Sequence, residues 1–212
     1  MEQNSLLASP EERRSALRHL MLTDHGFLRL LWTHEYEIAP GVWRSNQPNP
    51  SRIEQWAARG FKSVVLLRGM IPGNPIYDLE RDACSRAGLK LHMAPLGGRA
   101  LVPPDRFLAL LEAFKTAEEP FVMHCKSGID RTGMAAFLYL VAETDTPPEI
   151  ARRQLSFKYL HLKTSRHGIL DHMADAYLAA HRATGISIRD WIETAYDPEA
   201  ITARCQSGEA PE

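Results

Sequence analysis

The chain has 212 residues, of which 44% are hydrophobic and 24% are charged, and its formal net charge is −1. This length predicts one domain with a sizeable core. A net charge near zero provides no general basic field, which argues against nucleic acid as the main partner. Three cysteines, Cys84, Cys125 and Cys205, form neither a metal-binding spacing nor an even disulfide set, a pattern typical of a reducing compartment.

The sequence contains no sign of export or membrane insertion. Its first residues, Met1–Asn4, lack the basic segment and apolar core of a signal peptide. No run approaches the about 18 apolar residues of a membrane span. We therefore expect a cytoplasmic, soluble protein without a transmembrane segment.

A helical segment is predicted at the start of the chain. Ser9–Glu12 combines a capping serine, a proline in the first helical position and a glutamate three residues after the cap. The helical pattern continues to about Trp32, with a break near Asp24–Gly26. The apolar side chains at its end are predicted to dock on the core. Contact with a membrane surface is the less favoured alternative, since lipid-binding faces are usually basic. These side chains are Phe27, Leu28, Leu30, Leu31 and Trp32.

Strand and helix patterns then alternate along the chain. Strands are predicted at Tyr36–Trp43, Phe61–Leu67, Leu89–Ala94 and Phe121–Met123. Helices are predicted at 50–58, 76–87, 103–114, 134–141, 168–182 and 188–195, with a further start at Thr146–Glu149. This order predicts an α/β fold, with a central mostly parallel sheet of about four to five strands flanked by helices. We divide the chain into an N-terminal helical extension (1–34), a main domain (35–197) and a flexible tail (198–212).

The strongest chemical signal is the segment Phe121–Gly133. An apolar strand leads into His124-Cys125, and after five further residues come Arg131 and Thr132. A loop that opens onto a helix N-terminus binds anions through backbone N–H groups, and the same field stabilises a thiolate at Cys125. Arg131 adds a planar guanidinium suited to phosphate oxygens. The pattern predicts phosphate-ester hydrolysis through a cysteinyl-phosphate, and the alternative for Cys125 is an inert buried thiol.

These residues resemble the signature of the cysteine-dependent protein tyrosine and dual-specificity phosphatases, in which His-Cys is followed by five residues, arginine and serine or threonine. The matching positions are His124, Cys125, Gly128, Arg131 and Thr132. Upstream, Gly41–Pro48 and Phe61–Arg68 are similar to the opening of compact bacterial and plant–fungal members. The resemblance covers roughly residues 35 to 180. It implies a tyrosine-phosphatase-like fold for 35–197 and a mechanism that needs no cofactor or metal.

The resemblance also implies roles for the residues of the loop. Cys125 is the nucleophile, and Arg131 binds the phosphoryl oxygens and then the transition state. Thr132 is expected to donate a hydrogen bond to the sulfur, and His124 to fix the loop rather than to act as a base. A phosphate or sulfate ion is expected in the loop, bound by Lys126, Ser127, Gly128, Ile129, Asp130 and Arg131. Lys126 is equally well explained as a solvated surface lysine.

The general acid is the open question. The family usually carries an aspartate about thirty residues before the cysteine, but this chain has no carboxylate at Leu96–Arg99. Asp130 is the first candidate, since some lipid-directed and atypical bacterial relatives are thought to use an aspartate at that position. Asp105 is the second candidate, or else a residue of a helix first turn. Asp78, another residue or no acid at all also stay open.

We therefore expect a phosphatase for phosphotyrosine or dual-specificity phosphoprotein substrates, with a phosphorylated protein or a small phosphate ester as its partner. The first alternative is a phosphoinositide or inositol-phosphate phosphatase with the same mechanism. The second is a catalytically weak pseudophosphatase that binds phosphate. A sulfur-transfer domain of the rhodanese type is the least favoured, because Arg131-Thr132 after five residues favours phosphoryl chemistry.

Overall fold

A computed structural model of the chain describes Leu7 and residues 9–207. The described residues form two compact units. The first comprises the chain up to Met93 together with Ala117–Gly128, and the second comprises Ala94–Thr116 together with the chain from Ile129 onward. The predictions for Met1–Asn4 concern residues outside this described part.

The first unit contains a five-stranded sheet in the order β1-β2-β5-β3-β4. Its strands are β1 (Tyr36–Ala39), β2 (Val42–Asn46), β3 (Ser63–Leu66), β4 (Lys90–Met93) and β5 (Phe121–Cys125). β1 and β2 are antiparallel, and every other pair is parallel. All residues of β3 and β5 are buried, as their unbroken apolar runs predict for inner strands of a parallel sheet. The predicted α/β fold with a mostly parallel sheet is confirmed.

Three helices of the first unit begin in the same way, with a polar cap followed by proline. They are α1 (Pro10–Arg18), α2 (Pro50–Ala58) and α3 (Pro75–Ala87), capped by Ser9, Asn49 and Asn74. At α1 the Ser9 hydroxyl accepts the N–H of Glu12 (3.1 Å), and the Glu12 carboxylate accepts the N–H of Ser9 (2.9 Å). These reciprocal bonds satisfy two donors that a helix start leaves open. The helix start predicted at Ser9–Glu12 is confirmed.

Two hydrophobic clusters join these helices to the sheet. One cluster packs Ile53 and Trp56 of α2, together with Cys84 of α3, against Val64 and Val122. The other cluster packs the first turns of α3, the end of α1 and the segment just after it against the last residue of β3. Its members include Ile76, Tyr77, Leu79, Ala16, Leu20 and Leu66. The helices that follow β2 and β3 therefore bury their apolar faces against the sheet.

The segment after α1 contains a short π-helix (His19–Thr23) and a 3-10 helix (Gly26–Leu30), separated where the sequence predicts a break. The prediction that the apolar side chains here dock on the core is wrong. Exposed fractions are 49% for Phe27, 54% for Leu28, 56% for Leu30, 94% for Leu31 and 37% for Trp32. The close contact is made instead by backbone, since a Cβ at Gly26 would lie 2.6 Å from the Leu20 oxygen.

The second unit is helical. Its helices are α4 (Pro104–Thr116), α5 (Asp130–Glu143), α6 (Pro148–Ala151), α7 (Ile169–Thr184), α8 (Ile188–Thr194) and α9 (Pro198–Ser207). α5 is buried continuously from Thr132 to Leu140, as its apolar composition on all sides predicts. Two short 3-10 turns, Arg152–Gln154 and Phe157–Tyr159, lie between α6 and α7. Within the described residues, no helix combines the length and the hydropathy needed to cross a membrane.

Helix α9 lies in the region predicted as a flexible tail (198–212). Asp197 caps it, because one carboxylate oxygen accepts the N–H groups of Glu199 and Ala200, each at 2.9 Å. Pro198 occupies the first turn, where its missing N–H costs nothing. Pro198–Ser207 is thus helical, and residues 208–212 lie outside the described part. The flexibility of the tail stays a prediction. The boundary between the extension (1–34) and the main domain (35–197) stays a prediction.

Candidate active site

The strand β5 carries Cys125 to the carboxyl edge of the sheet. Cys125 is the last residue of β5 and pairs with Asn46, the last residue of β2. Its side chain is buried, with 1% exposed. Ligands of open parallel sheets bind at the carboxyl ends of the strands. The position therefore fits the nucleophile predicted from the sequence, while the burial alone is shared with an inert thiol.

Gly128 is the tightest point of the loop after Cys125. Its φ is +74°, and a Cβ there would lie 2.8 Å from backbone atoms of both Ser45 and Asn46. Only glycine meets both conditions without strain. The Gly128 carbonyl accepts a hydrogen bond from Arg44 Nη2 at 2.8 Å, and the Lys126 carbonyl accepts one from the Gln47 N–H at 3.2 Å. Arg44 of β2 and Gln47, just after β2, thus bind two backbone carbonyl groups of the loop.

His124 lies beneath the loop and is fully buried. Its Nε2 is 2.7 Å from Glu80 Oε1, and its Nδ1 is 3.3 Å from the carbonyl oxygen of Cys125. The second Glu80 oxygen accepts a hydrogen bond from Gln47 Nε2 at 2.5 Å. Both ring nitrogens therefore lie beside acceptors of the protein. The positioning role of His124 stays a prediction.

Lys126, the first residue of the loop, is paired with the N-terminal segment. Its Nζ lies 2.9 Å from Asp24 Oδ1, and Asp24 also binds Arg29 at 2.7 Å and Arg68 at 3.1 Å. Burial favours the protonated carboxyl group, but the hydrogen bonds from Arg68 and Lys126 outweigh it, so the pKa of Asp24 is lowered. No sequence motif marks Asp24, and neither prediction for Lys126 included this ion pair.

The second half of the loop opens α5. The N-cap residue is Ile129, whose side chain cannot accept a hydrogen bond, and Asp130 and Arg131 occupy the first turn. A Cβ at Gly98 would lie 3.7 Å from Arg131 Nε and 3.3 Å from the His167 ring. The chain at Gly98 therefore passes beside the guanidinium, in the segment Leu96–Arg99 that contains no carboxylate.

Thr132 follows on the buried side of α5. It is fully buried, and its hydroxyl has no hydrogen-bond partner among the described residues. An unpaired buried hydroxyl costs about 1–3 kcal/mol, and such groups are unusual outside functional sites. The hydrogen bond from Thr132 to the cysteine sulfur stays a prediction.

Asp130 belongs to a chain of ionisable side chains within the second unit. Its Oδ1 is 2.8 Å from His161 Nδ1, and the opposite nitrogen of that ring is 2.6 Å from Asp171 Oδ2. Arg152 binds Asp171 at 2.7 Å and Asp175 at 2.7 Å. The His161 side chain is 1% exposed and that of Asp130 is 16% exposed. The middle of this network, at His161 and Asp171, is buried, and both of its ends, at Asp130 and Asp175, reach solvent.

The two carboxylates keep His161 charged. Burial alone would lower its pKa, but hydrogen bonds to Asp130 and Asp171 raise the pKa of His161 to about 9. Burial likewise opposes the charged form of Asp171, and His161 and Arg152 reverse that effect and lower its pKa. Sequence reasoning missed these partners, because His161 lies 31 residues after Asp130 in no recognisable motif.

The other candidate acids are placed elsewhere. Asp105 is an exposed residue in the first turn of α4. Asp78 is buried at the start of α3, where its carboxylate accepts the N–H of Gly73 at 3.0 Å. Asp130 is thus the candidate that lies within the loop. No group of three His, Cys, Asp or Glu side chains in the described part of the chain is arranged to hold a metal ion.

Comparison with solved structures defines the class of fold. TpbA from P. aeruginosa superposes with a TM-score of 0.56 at 21% identity, over 77% of this chain and 90% of TpbA. One TpbA structure is of a complex with pTyr. The core catalytic domain of SIW14 from S. cerevisiae, a PP-IP phosphatase, has a TM-score of 0.50 at 15% identity, over 82% of this chain and 93% of that domain. The fold is therefore tyrosine-phosphatase-like, as predicted.

Comparison of sequences finds a family model and curated relatives that match part of the chain. Residues 99–197, a little under half of the chain, match the family model described as "Tyrosine phosphatase family". A curated relative, the "Beta-lactamase hydrolase-like protein" of Xylella fastidiosa (strain Temecula1), is 36% identical over 101 residues, which are 47% of this chain. The matched region spans 22% of that longer relative. The resemblance stated from the loop residues is confirmed.

Proposed function

We propose that the chain is a phosphomonoesterase that works through a cysteinyl-phosphate on Cys125, with phosphotyrosine or dual-specificity phosphoproteins as substrates. The observation that carries the proposal is the complete loop, from Cys125 at the end of a central parallel strand to Arg131 in the first turn of α5. A helix N-terminus without a capping side chain suits an anionic ligand. The pTyr complex of TpbA supports the same substrate class for this chain.

The reaction has two steps. In the first, the Cys125 thiolate forms a bond to phosphorus while the bond to the leaving oxygen breaks, and Arg131 binds the equatorial oxygens. In the second, water attacks the phosphocysteine, the phosphorus–sulfur bond breaks and the thiolate leaves with its electron pair. Asp130 is the carboxyl group of the loop that can exchange a proton with the leaving group or with the water.

Hydrolysis of para-nitrophenyl phosphate in the presence of a chelator tests the mechanism. We expect turnover by the wild-type protein and none by Cys125→Ser. Cys205→Ser is the matched control, because Cys205 lies on α9 and is only partly buried; it should retain full activity. An active Cys125→Ser variant, or activity that the chelator removes, would reject the proposal.

A phosphoinositide or inositol-phosphate substrate is the second candidate. The fold shared with SIW14, a PP-IP phosphatase, favours it. Phosphopeptides, a phosphoinositide and an inositol polyphosphate compared in one panel separate the two, since the second candidate requires turnover of the latter and none of the former. Binding of phosphate without any phosphocysteine in a single turnover would instead identify a phosphate-binding pseudophosphatase.

A further inference from the structure

A cavity of about 220 Å³ lies in the first unit, where residues of the 3-10 helix Gly26–Leu30 and of the start of α2 line it together. Its lining includes the buried residue Arg52 and the exposed residues Ser51 and Gln55, so the cavity opens to solvent. A water molecule occupies about 30 Å³ in the liquid, and the space therefore admits a small ion. None of the described lining residues belongs to the loop that carries Cys125.

The lining of this cavity is cationic. Arg29 and Arg52 contribute two guanidinium groups, the other polar lining side chains are hydroxyls and amides, and the described lining residues include no Asp or Glu. Arg29 binds Asp24 at 2.7 Å, but Asp24 also pairs with Arg68 and Lys126. Three cations share that one carboxylate, so the surroundings of Arg29 keep a positive excess.

Arg52 is bound by neutral groups alone among its described hydrogen-bond partners. Its Nη2 donates to the backbone and side-chain oxygens of Asn46, at 2.8 and 2.6 Å, and to the Gln47 carbonyl at 2.6 Å. The residue is 8% exposed, and its Nε and Nη1 are buried without a hydrogen-bond partner among the described residues. A guanidinium has five N–H donors, and three of them belong to these two nitrogens. The charge of Arg52 is therefore buried and only partly solvated by the protein.

Burial is the main influence on this guanidinium. It lowers the pKa of Arg52 to about 10; Arg29 acts in the same direction, whereas Glu35 and Glu80 oppose the effect from a distance. Both of these carboxylates are bound by other side chains. Arg52 is still charged at pH 7, and a buried charge without a paired partner is unfavourable. An anion in the cavity would offset that cost.

We propose that this cavity is a second anion site, which binds a phosphate group separately from the loop of the proposed active site. Two guanidinium groups line it and one of them lacks a carboxylate, which favours a dianion such as phosphate. The hydroxyl groups of Thr33 and Ser51 and the amide of Gln55 are donors that suit the remaining phosphate oxygens. Inorganic phosphate and a small phosphate ester both carry this group.

Titration with inorganic phosphate, followed by the amide nitrogen-15 and proton NMR signals of the wild-type protein, tests the proposal. Ser51 lies at the cavity and Gly128 lies in the loop, so their signals report the two sites separately. We expect the Ser51 signal to shift with phosphate and not with chloride at the same ionic strength. Glycerol phosphate is the second probe. A Ser51 shift with both probes supports a site that admits esters, and a shift with inorganic phosphate alone supports a site for the free ion.

Gln55 allows the charge of the rim to be changed at an exposed position. Gln55→Glu should raise the Kd of phosphate measured at Ser51 about fivefold or more, and Gln55→Lys should lower it by a similar factor, because a unit charge acts strongly over a few ångströms. Glu54→Gln is the matched control. It changes the net charge by the same amount as Gln55→Lys, at an exposed neighbour that does not line the cavity, and should leave this Kd nearly unchanged.

A Ser51 signal that does not respond to phosphate, or a Kd at Ser51 that is equal in the wild type and both Gln55 variants, would overturn the inference. Arg52→Gln should weaken binding at Ser51 about tenfold or more, since it removes the unpaired charge. If Arg52→Gln does not fold, the two Gln55 variants decide the question. Phosphate binding at Ser51 in a protein that hydrolyses no phosphate ester would support the inference and reject the proposed function.

Discussion

Gly128 combines a left-handed backbone with a lack of space, and these two demands can be separated by experiment. Its φ is +74°, and a Cβ would lie 2.8 Å from the backbone of the neighbouring strand. Gly88, at the end of α3, has φ of +73°, and a Cβ there would meet nothing within 4 Å. The two glycines therefore share the conformational requirement and differ in the steric one.

We expect Gly88→Ala to lower the free energy of unfolding by about 1 kcal/mol, the cost of a left-handed alanine, and to leave activity unchanged. Gly128→Ala should cost more and should also reduce kcat/KM at least about tenfold, equivalent to about 1.4 kcal/mol, because the loop must move away from β2. Urea unfolding and para-nitrophenyl phosphate hydrolysis measure the two effects. Equal losses in both variants would show that the contacts of Gly128 with β2 do not matter.

His161 also predicts how stability depends on pH. Its pKa is raised from 6.5 to about 9 in the folded protein, so the native state binds the proton more tightly than the unfolded chain. The stabilisation is present in full below about pH 6.5 and is lost as the pH rises toward 9.

The free energy of unfolding, measured by urea titration at pH 6, 7.5 and 9, should therefore fall across this range in the wild type. His161→Gln should show a shallower fall. The cysteines are the same in both proteins, so the difference between their free energies of unfolding isolates the contribution of the His161 ring. Parallel pH profiles for the two proteins would contradict the folded-state charge assigned to His161.

At the scale of elements, the segment between α1 and β1 is bound to the loop by one carboxylate. Asp24 lies between the π-helix and the 3-10 helix and pairs with Arg29, Arg68 and Lys126. Three cations converge on a side chain that is only 8% exposed. Removal of its charge would leave them to repel one another in a partly desolvated setting.

Asp24→Asn should therefore lower the free energy of unfolding by on the order of 2 kcal/mol, less than for a fully buried pair because Lys126 is 46% exposed. Glu149→Gln, which removes the carboxylate of an exposed pair with Arg182, is the control and should have little effect. Denaturant unfolding at low and high salt provides the measurement. Equal losses of stability in the two variants would show that the Asp24 carboxylate contributes no more than that of an exposed ion pair.

Local signals in the sequence account for the elements that were predicted correctly. The apolar run of β5, the glycine of the loop and the apolar stretch of α5 each follow from neighbouring residues, and caps followed by proline mark α1, α2 and α3. The errors arose where the decisive partner is distant or the pattern is short. A 3-10 helix of five residues has too few turns for periodicity to show which face is buried.

For the whole molecule, the fold and the loop that carries Cys125 were accessible from sequence, but the charged partners of that loop were not. Asp130 was identified by its place in the loop, whereas His161 and Asp24 act through contacts between distant parts of the chain. A single sequence contains no information about which distant residues meet. Side-chain geometry therefore added the charged partners of Asp130 and Lys126, which the sequence does not show.

The three cysteines offer a test on the intact protein. Burial among hydrophobic side chains, with the nearby Glu80 charge, raises the pKa of the Cys84 thiol well above its usual value, so it should resist alkylation. We expect iodoacetate at pH 7 to modify Cys125 in the folded chain and inorganic phosphate to protect it. Peptide mass spectrometry should find Cys84 modified only in urea. Rapid labelling of Cys84, or labelling of Cys125 that phosphate does not slow, would contradict this assignment.

The hydrogen bond from Arg44 to the carbonyl of Gly128 has a consequence for the polarity of the loop. In a planar trans peptide the C=O and the following N–H point in opposite directions. Arg44 is fully buried, so it draws the oxygen inward and turns the amide hydrogen of Ile129 the other way. Rotation of this one peptide plane would present a negative dipole to an incoming anion. The hydrogen bond from the Arg44 guanidinium, on a neighbouring strand, therefore opposes rotation of this peptide plane.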